Sequence, residues 1–207
     1  MTKKERGYHH GDLRRALLDA ALAIVADEGP SAVTMSAVAR RAGVSSGAPY
    51  RHFKDRVELL RGLWSRADEV LSRRIEEATA SAPDPLEGFR RSGVEYVSFA
   101  AEEPALFRVL TQGEYAVPRP ASDRVSAETK FSEGLRALLH ADDARAPLDP
   151  SHPLIQQLAA RCLVHGLAHF FVDGQDAQLG LGPEQARRIA EALTRALGPP
   201  SLDEAEP

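Results

Sequence analysis

Cysteine is nearly missing from this chain of 207 residues. The single Cys162 excludes an internal disulfide, and no Cys/His spacing suits a structural zinc site, so no metal is expected. Aromatic residues are sparse at 6%, with one Trp, and β-branched runs are few. Ala, Leu, Arg and Glu dominate instead, so an all-α protein is expected. No apolar stretch approaches a membrane span before a charge interrupts it. Met1-Thr-Lys-Lys-Glu-Arg6 has no apolar run behind it, so no signal peptide is expected and the location read from the sequence is cytoplasmic. Neither a phosphate-cradling Gly loop nor a nucleophile–base–orienter set is present, so neither cofactor nor catalysis is expected. Internal repeats and low-complexity tracts are missing too.

Positive charge is also in deficit overall, at a formal −4, which argues against nucleic-acid binding until it is divided along the chain. Residues 1–56 hold ten Lys/Arg against six Asp/Glu, and the remainder holds sixteen against twenty-four. A basic N-terminal module in front of an acidic body confines the electrostatic footprint to one end. The acidic body disfavours loose contact with DNA and leaves binding to the docking face.

Within that basic module, Thr34 to Arg56 reads as two short helices around a tight turn, followed by the start of a third. Thr34 can cap the first helix, and Val38, Ala39 and Ala42 form its small apolar face. Gly43 stands where a left-handed residue closes a helix, and Val44 is a plug between the two helices. Ser45 is placed to cap a second helix from Ser46 to about His52, with Pro49 tolerated in its first turn. Phe53 turns inward, and Asp55 with Glu58 opens the next helix in an acidic version of the capping box. A helix, a Gly-containing turn and a second helix is the arrangement that lays one helix in the DNA major groove. Ser46, Gly47 and Ala48 are small enough to approach base edges. Tyr50, Arg51 and His52 offer hydrogen-bond donors, and Lys54 and Arg56 add charge. The alternative is a solvated helix pair with no ligand.

The segment Ala39-Arg-Arg-Ala-Gly-Val-Ser-Ser-Gly-Ala-Pro-Tyr-Arg-His-Phe-Lys-Asp-Arg56, followed by Leu59-Leu60, resembles the DNA-binding signature of TetR-family transcriptional regulators. Pro49 stands where that family commonly has Leu. Tyr8-His-His-Gly-Asp-Leu-Arg14 and Val164-His-Gly-Leu167 resemble the branch with a WHG-type C-terminal domain. The resemblance implies a ligand-responsive transcriptional regulator, a repressor acting by operator occupancy. It also implies a homodimer reading double-stranded DNA at an inverted repeat. An unidentified small-molecule effector favouring a conformation with the heads too far apart would release it. By position in the motif, the implied DNA contacts are Thr34, Ser36, Ser45, Ser46, Gly47, Ala48, Tyr50, Arg51, His52 and Arg56. Ser46, Ala48 and Arg51 are expected on bases, and Tyr50, His52 and Arg56 on phosphates.

The remaining helices follow from apolar periodicity and punctuation. A first helix at about Asp12–Asp27 covers the back of the helix pair, ends at Gly29-Pro30, and follows a basic arm that either reaches DNA or is a solubilising tail. A connecting helix occupies 57–80, and Asp84, Pro85 and Glu87 start the next. Helices are predicted at about 85–102, 104–112, 122–141, 151–173 and 183–197, giving about nine in all. The expected organisation is a helix-turn-helix domain at 1–56, the connecting helix, a larger effector-binding and dimerisation domain at 81–198, and a disordered tail at 199–207. Trp64, Phe89, Tyr96, Phe99, Phe107, Phe131 and His165 are candidates to wall an effector cavity, with plain core packing as the alternative. His165 and His169 share a helix face but lack a third metal ligand. Leu158, Leu163, Leu167 and Phe170, with Ile189, Leu193 and Leu197, form two apolar stripes suited to a four-helix homodimer interface. Two rivals remain at this stage: a DNA-binding protein without an effector, or an activator; and a helical enzyme using Cys162 or the His165/His169 pair.

Overall fold

Helix formers at 3.6-residue spacing and well-placed Gly and Pro account for nearly every element of the computed structural model, which describes residues 10–111, 132–139 and 148–196. The helices run in the order α1 (His10–Glu28), α2 (Met35–Arg41), α3 (Arg56–Thr79), α4 (Pro85–Glu102), α5 (Pro104–Thr111), α6 (132–139), α7 (Pro153–Val172) and α8 (Pro183–Ala196). Short 3-10 turns lie at Pro30–Ala32, Pro49–Arg51 and Ala177–Leu179. Among the described residues there is no strand, and no helix is long and apolar enough to cross a membrane. The basic arm, most of the helix expected at 122–141, Phe131, Leu197 and the tail lie outside the described residues. The chain divides into two compact units: Met1–Val70 with Glu103–Val117, and Leu71–Glu102 with Pro118–Pro207.

In the first unit α1 supplies the core with Leu17, Ala21 and Val25, each wholly buried. Gly29 stops it at φ +85°, its N–H bonded to the Val25 carbonyl at 3.0 Å. The predicted boundary there is correct because only glycine adopts that backbone cheaply. α3 comes close to α1 at Gly62, where a Cβ would meet the Phe53 ring and the Arg14 guanidinium at 3.3 Å each. Trp64 is buried on α3, and α5 packs on α1 and buries Leu106, Phe107 and Val109. Arg66 of α3 pairs with Asp19, and Arg41 of α2 pairs with Asp27 at 2.7 Å, both at the surface.

The second unit is arranged around α4, which packs on both α7 and α8. The predicted helix start is observed: the Asp84 carboxylate accepts the Glu87 N–H at 2.8 Å. Small residues set the spacing. α8 buries Ala186, Ala190 and Thr194 at four-residue intervals, α7 buries Ala160 and Ala168, and Gly93 on α4 leaves room for Val164 and Thr194. At the centre is a buried carboxylate, Glu95, held by Arg74 of α3 at 3.2 Å and by Arg187 of α8. Arg74 also reaches Glu102 at 2.8 Å and lies over the Phe99 ring. Two acidic partners hold the Arg74 guanidinium above its ordinary pKa despite the opposing effect of its burial.

Removing the shared carboxylate leaves two cations facing each other in a partly dry site. Glu95→Ala is expected to lower unfolding stability by about 2 kcal/mol, discounted for the exposure of Arg187. Urea denaturation checks this, and a loss below a few tenths would mean the triad is inert.

Candidate nucleic-acid interface

The stretch expected to read DNA starts from a well-capped α2. Thr34 Oγ1 accepts the Ala37 N–H at 3.1 Å, and Gly43 closes the helix at φ +69°. The Gly43 N–H bonds the Arg40 carbonyl at 3.2 Å, and the Val44 N–H bonds Ala39 at 3.0 Å. These are the paired bonds of a Schellman closure. Val44 then lies half-buried behind the turn.

The second helix differs from the prediction. In place of an α-helix from Ser46 to His52 there is a turn at 46–47 and a 3-10 helix of three residues, Pro49–Arg51, with no side-chain cap. Pro49 explains it. The ring has no N–H for an α-type bond to Ser45, whose carbonyl instead accepts from Ala48 at 2.9 Å. The tight pattern continues with Arg51 to Ala48 at 3.2 Å and His52 to Pro49 at 3.0 Å, and Phe53 returns to the Pro49 carbonyl at 2.9 Å. Gly47 removes most of the remaining helical preference. Phe53 is then buried to 1% under the guanidinium of Arg14, which sits 5.1 Å from its ring centre. α3 begins with its predicted cap, Asp55 accepting the Glu58 N–H at 2.8 Å. The Glu58 carboxylate closes back one residue earlier than a standard box, on the Lys54 N–H.

This local geometry sorts the predicted contacts. Thr34, Ser36, Ser45, Ser46, Gly47, Tyr50 and Arg51 are exposed, Tyr50 to 59%, and His52 is half-buried. Two expectations need correcting. Ala48 is buried, because the 3-10 turn points its methyl inward beside Pro49, so it does not face bases. Arg56 is not displayed for phosphate either. Its Nε donates to the Val33 carbonyl at 2.6 Å and Nη2 to the Pro30 carbonyl at 3.1 Å, filling acceptors that α2's lead-in leaves open. The cation displayed instead is Lys54, exposed two residues earlier. In the sequence it reads as charge beside the motif.

Elsewhere the candidate residues separate. Trp64 and Phe107 are buried in the first unit, and Phe89, Tyr96, Phe99 and His165 belong to the second. Of these, Tyr96 and His165 meet, hydroxyl to Nδ1 at 3.0 Å, and His169 stacks edge-on to His165 at 4.6 Å. Burial pushes the Tyr96 hydroxyl up to about 12, and burial followed by the charge of His169 holds His165 below its ordinary 6.5. No group of three His, Cys, Asp or Glu among the described residues could hold a metal. Cys162 is exposed on α7.

A capped helix, a Gly-closed turn and a short exposed polar turn seated on a third helix define a helix-turn-helix DNA-binding head. Comparison with known proteins agrees. A family model described as bacterial regulatory proteins, tetR family, matches residues 17–63, and one described as a tetracyclin repressor-like C-terminal domain matches 89–197. The chain is 32% identical over 160 residues to the HTH-type transcriptional regulator BetI of Rhizobium meliloti (strain 1021), covering 72% of this chain and 76% of BetI. A Rhodococcus sp. RHA1 protein of unknown function superposes with a TM-score of 0.59 at 30% identity, covering 93% of this chain and 99% of that one. AibR, solved with isovaleryl coenzyme A and operator DNA, shares the fold at a TM-score of 0.59 and 17% identity, over 90% and 98% of the two chains. The chain belongs to the TetR family of transcriptional regulators.

The inward Arg56 distinguishes a brace from a phosphate contact. Arg56→Met is expected to cost about 1–2 kcal/mol of stability while leaving the salt slope of DNA binding unchanged. A slope reduced by about one, with stability intact, would restore the phosphate assignment. His165 gives a second expectation. Its folded-state pKa is depressed, so the unfolded chain takes up the proton first as pH falls through 6.5. Stability is therefore full above 6.5 and declines as pH falls below it, and His165→Gln should flatten that decline in denaturant titrations at each pH.

Proposed function

We propose that this regulator is a repressor that occupies an inverted-repeat operator as a homodimer and is released when a small molecule binds the second unit. The observation that carries the DNA-reading part is the exposed run Ser45, Ser46, Gly47, Tyr50, Arg51 and Lys54, held on buried Ala48, Pro49 and Phe53. Ser46, Gly47 and Arg51 take the base edges, and Tyr50 and Lys54 take phosphates beside the hydroxyls of Thr34 and Ser36. One such short element buries too little surface for useful affinity, so a two-fold pair is required.

The second unit supports pairing. Along α7 and α8, Leu158, Leu163, Leu167, Phe170, Ile189 and Leu193 are all only half-buried and form an apolar flank. Two apolar stripes on adjacent helices suit a self-complementary four-helix contact. An effector role for this unit is supported by AibR, whose fold accommodates both a ligand and operator DNA. Release follows from the ligand's preference for one of two conformations of the dimer. Catalysis and a membrane partner form no part of this reading.

Selection of bound duplexes from a random pool at near-physiological salt should enrich an inverted repeat whose half-sites lie about one helical turn, or a multiple of it, apart. Against that site, Arg51→Ala is expected to relax one base position at a cost of about 1–3 kcal/mol. Lys54→Ala should weaken all sequences alike and lower the salt slope by about one. Enrichment of no motif, with retention collapsing as salt rises, would leave only nonspecific phosphate binding.

A further inference from the structure

Within the second unit an open cleft of about 360 Å³ lies between α4 and α8, with Ala78 of α3 at its edge. Its wall carries Arg90, Arg91, Arg187 and Arg195 against Glu87, Glu95 and Glu191, although residues 57–207 as a whole are rich in acid. The partners of these arginines are unequal. Arg91 is fully engaged, by Glu87 at 3.0 Å, the Ser81 hydroxyl at 3.1 Å and the Ala78 carbonyl at 3.3 Å. Arg187 is engaged by the buried Glu95, which it shares with Arg74.

Arg90 and Arg195 are different. Neither makes a side-chain hydrogen bond or ion pair among the described residues, and the Nε of Arg90 is shut off from water with no acceptor. Arg90 is half-buried, and leaving its guanidinium without a counter-charge is costly, whereas Arg195 is exposed and adds positive charge without that cost. The planar donors of both are shaped for a carboxylate or phosphate. Glu191, one turn before Arg195 on α8, is the only unpaired carboxylate lining the cleft, so cations outnumber available anions. Val94 and Ala78 offer apolar surface alongside. The volume suits a small metabolite.

We infer that this cleft binds a small organic anion, its carboxylate or phosphate held by Arg90 and Arg195 and a short apolar body resting on Val94 and Ala78. The inference rests on the effector-responsive reading above and names the chemical class of the effector. Occupancy supplies the missing counter-charge and ties α4 to α8. At the same time it touches the last turn of α3, the helix whose first residue, Arg56, braces the DNA-reading head.

Calorimetric titration of the full chain with hexanoate, hexyl phosphate and hexylamine in low-chloride buffer tests it. Saturable binding of at least one anion at one site per chain is expected, with hexylamine giving none. The better of the two anions identifies the headgroup. Arg90→Gln should weaken the anion by about tenfold or more without lowering the melting temperature, because the residue it removes has no partner to lose. Glu191→Gln, which removes the competing carboxylate, should tighten it severalfold. Absence of saturable heat with both anions, or unchanged affinity in Arg90→Gln, overturns the site. Titration of the selected operator duplex in parallel separates the two readings. Operator binding without anion binding overturns this inference alone, and anion binding that leaves operator affinity unchanged overturns the effector assignment.

Discussion

The head depends on one constraint: the chain between α2 and α3 must be held at both ends while its middle, broken by Pro49, forms a three-residue 3-10 helix in place of an α-helix. Arg56, at the first residue of α3, is bonded to the carbonyls of Val33 and Pro30, so the start of α3 is tied to the lead-in of α2. Phe53, buried beneath Arg14 and beside Gly62, fixes the same junction from the apolar side. Between these anchors the chain from Gly43 to Lys54 is tied by the tight bonds from Ala48 to Ser45, Arg51 to Ala48 and His52 and Phe53 to Pro49. Its outward side chains are positioned by what lies beneath them: Ala48, Pro49 and Phe53. Preorganisation of that kind matters for recognition, since ordering a loop on binding would subtract from an interface that is already small.

The sequence showed most of this, and the places where it misled have a common cause. Caps and breakers act through their own backbone, so Thr34, Gly29, Gly43, Asp55 and Asp84 could be assigned from residue type and spacing, and each stands where expected. Ala48 and Arg56 could not. Their directions depend on the hydrogen-bond pattern that Pro49 imposes and on two carbonyls more than twenty residues earlier in the chain. Charge at Arg56 read as available because a sequence cannot show which acceptors a fold leaves unfilled. Lys54 carries the same charge, and its exposure, against the two carbonyls that hold Arg56, distinguishes the two.

In the second unit the periodic apolar positions predicted helices well and their partners poorly. Aromatic residues at helical spacing read as one candidate cavity, yet Trp64 and Phe107 belong to one compact unit and Phe89, Tyr96, Phe99 and His165 to the other. Residue type marks what avoids water. It does not say across which helix pair the avoidance is satisfied. The less conspicuous small residues set this architecture, because Gly93, Ala186, Ala190 and Thr194 let α4 and α8 approach.

That close approach also explains why charge is concentrated there. Helices brought together by small side chains leave long ones to cover the seam, and arginine does this with an apolar stem and a polar end. Glu95 neutralises two of them from within, and Glu87 neutralises a third from the rim. With those acids committed, Glu191 alone remains on the cleft wall to face both Arg90 and Arg195. A fold held together only for its own stability gains by replacing such residues with neutral ones. Retaining Arg90 with its Nε buried and unpaired is a cost with no structural return. A guanidinium whose buried Nε the fold leaves unmatched is therefore a stronger pointer to a ligand than aromatic content, which packing alone accounts for.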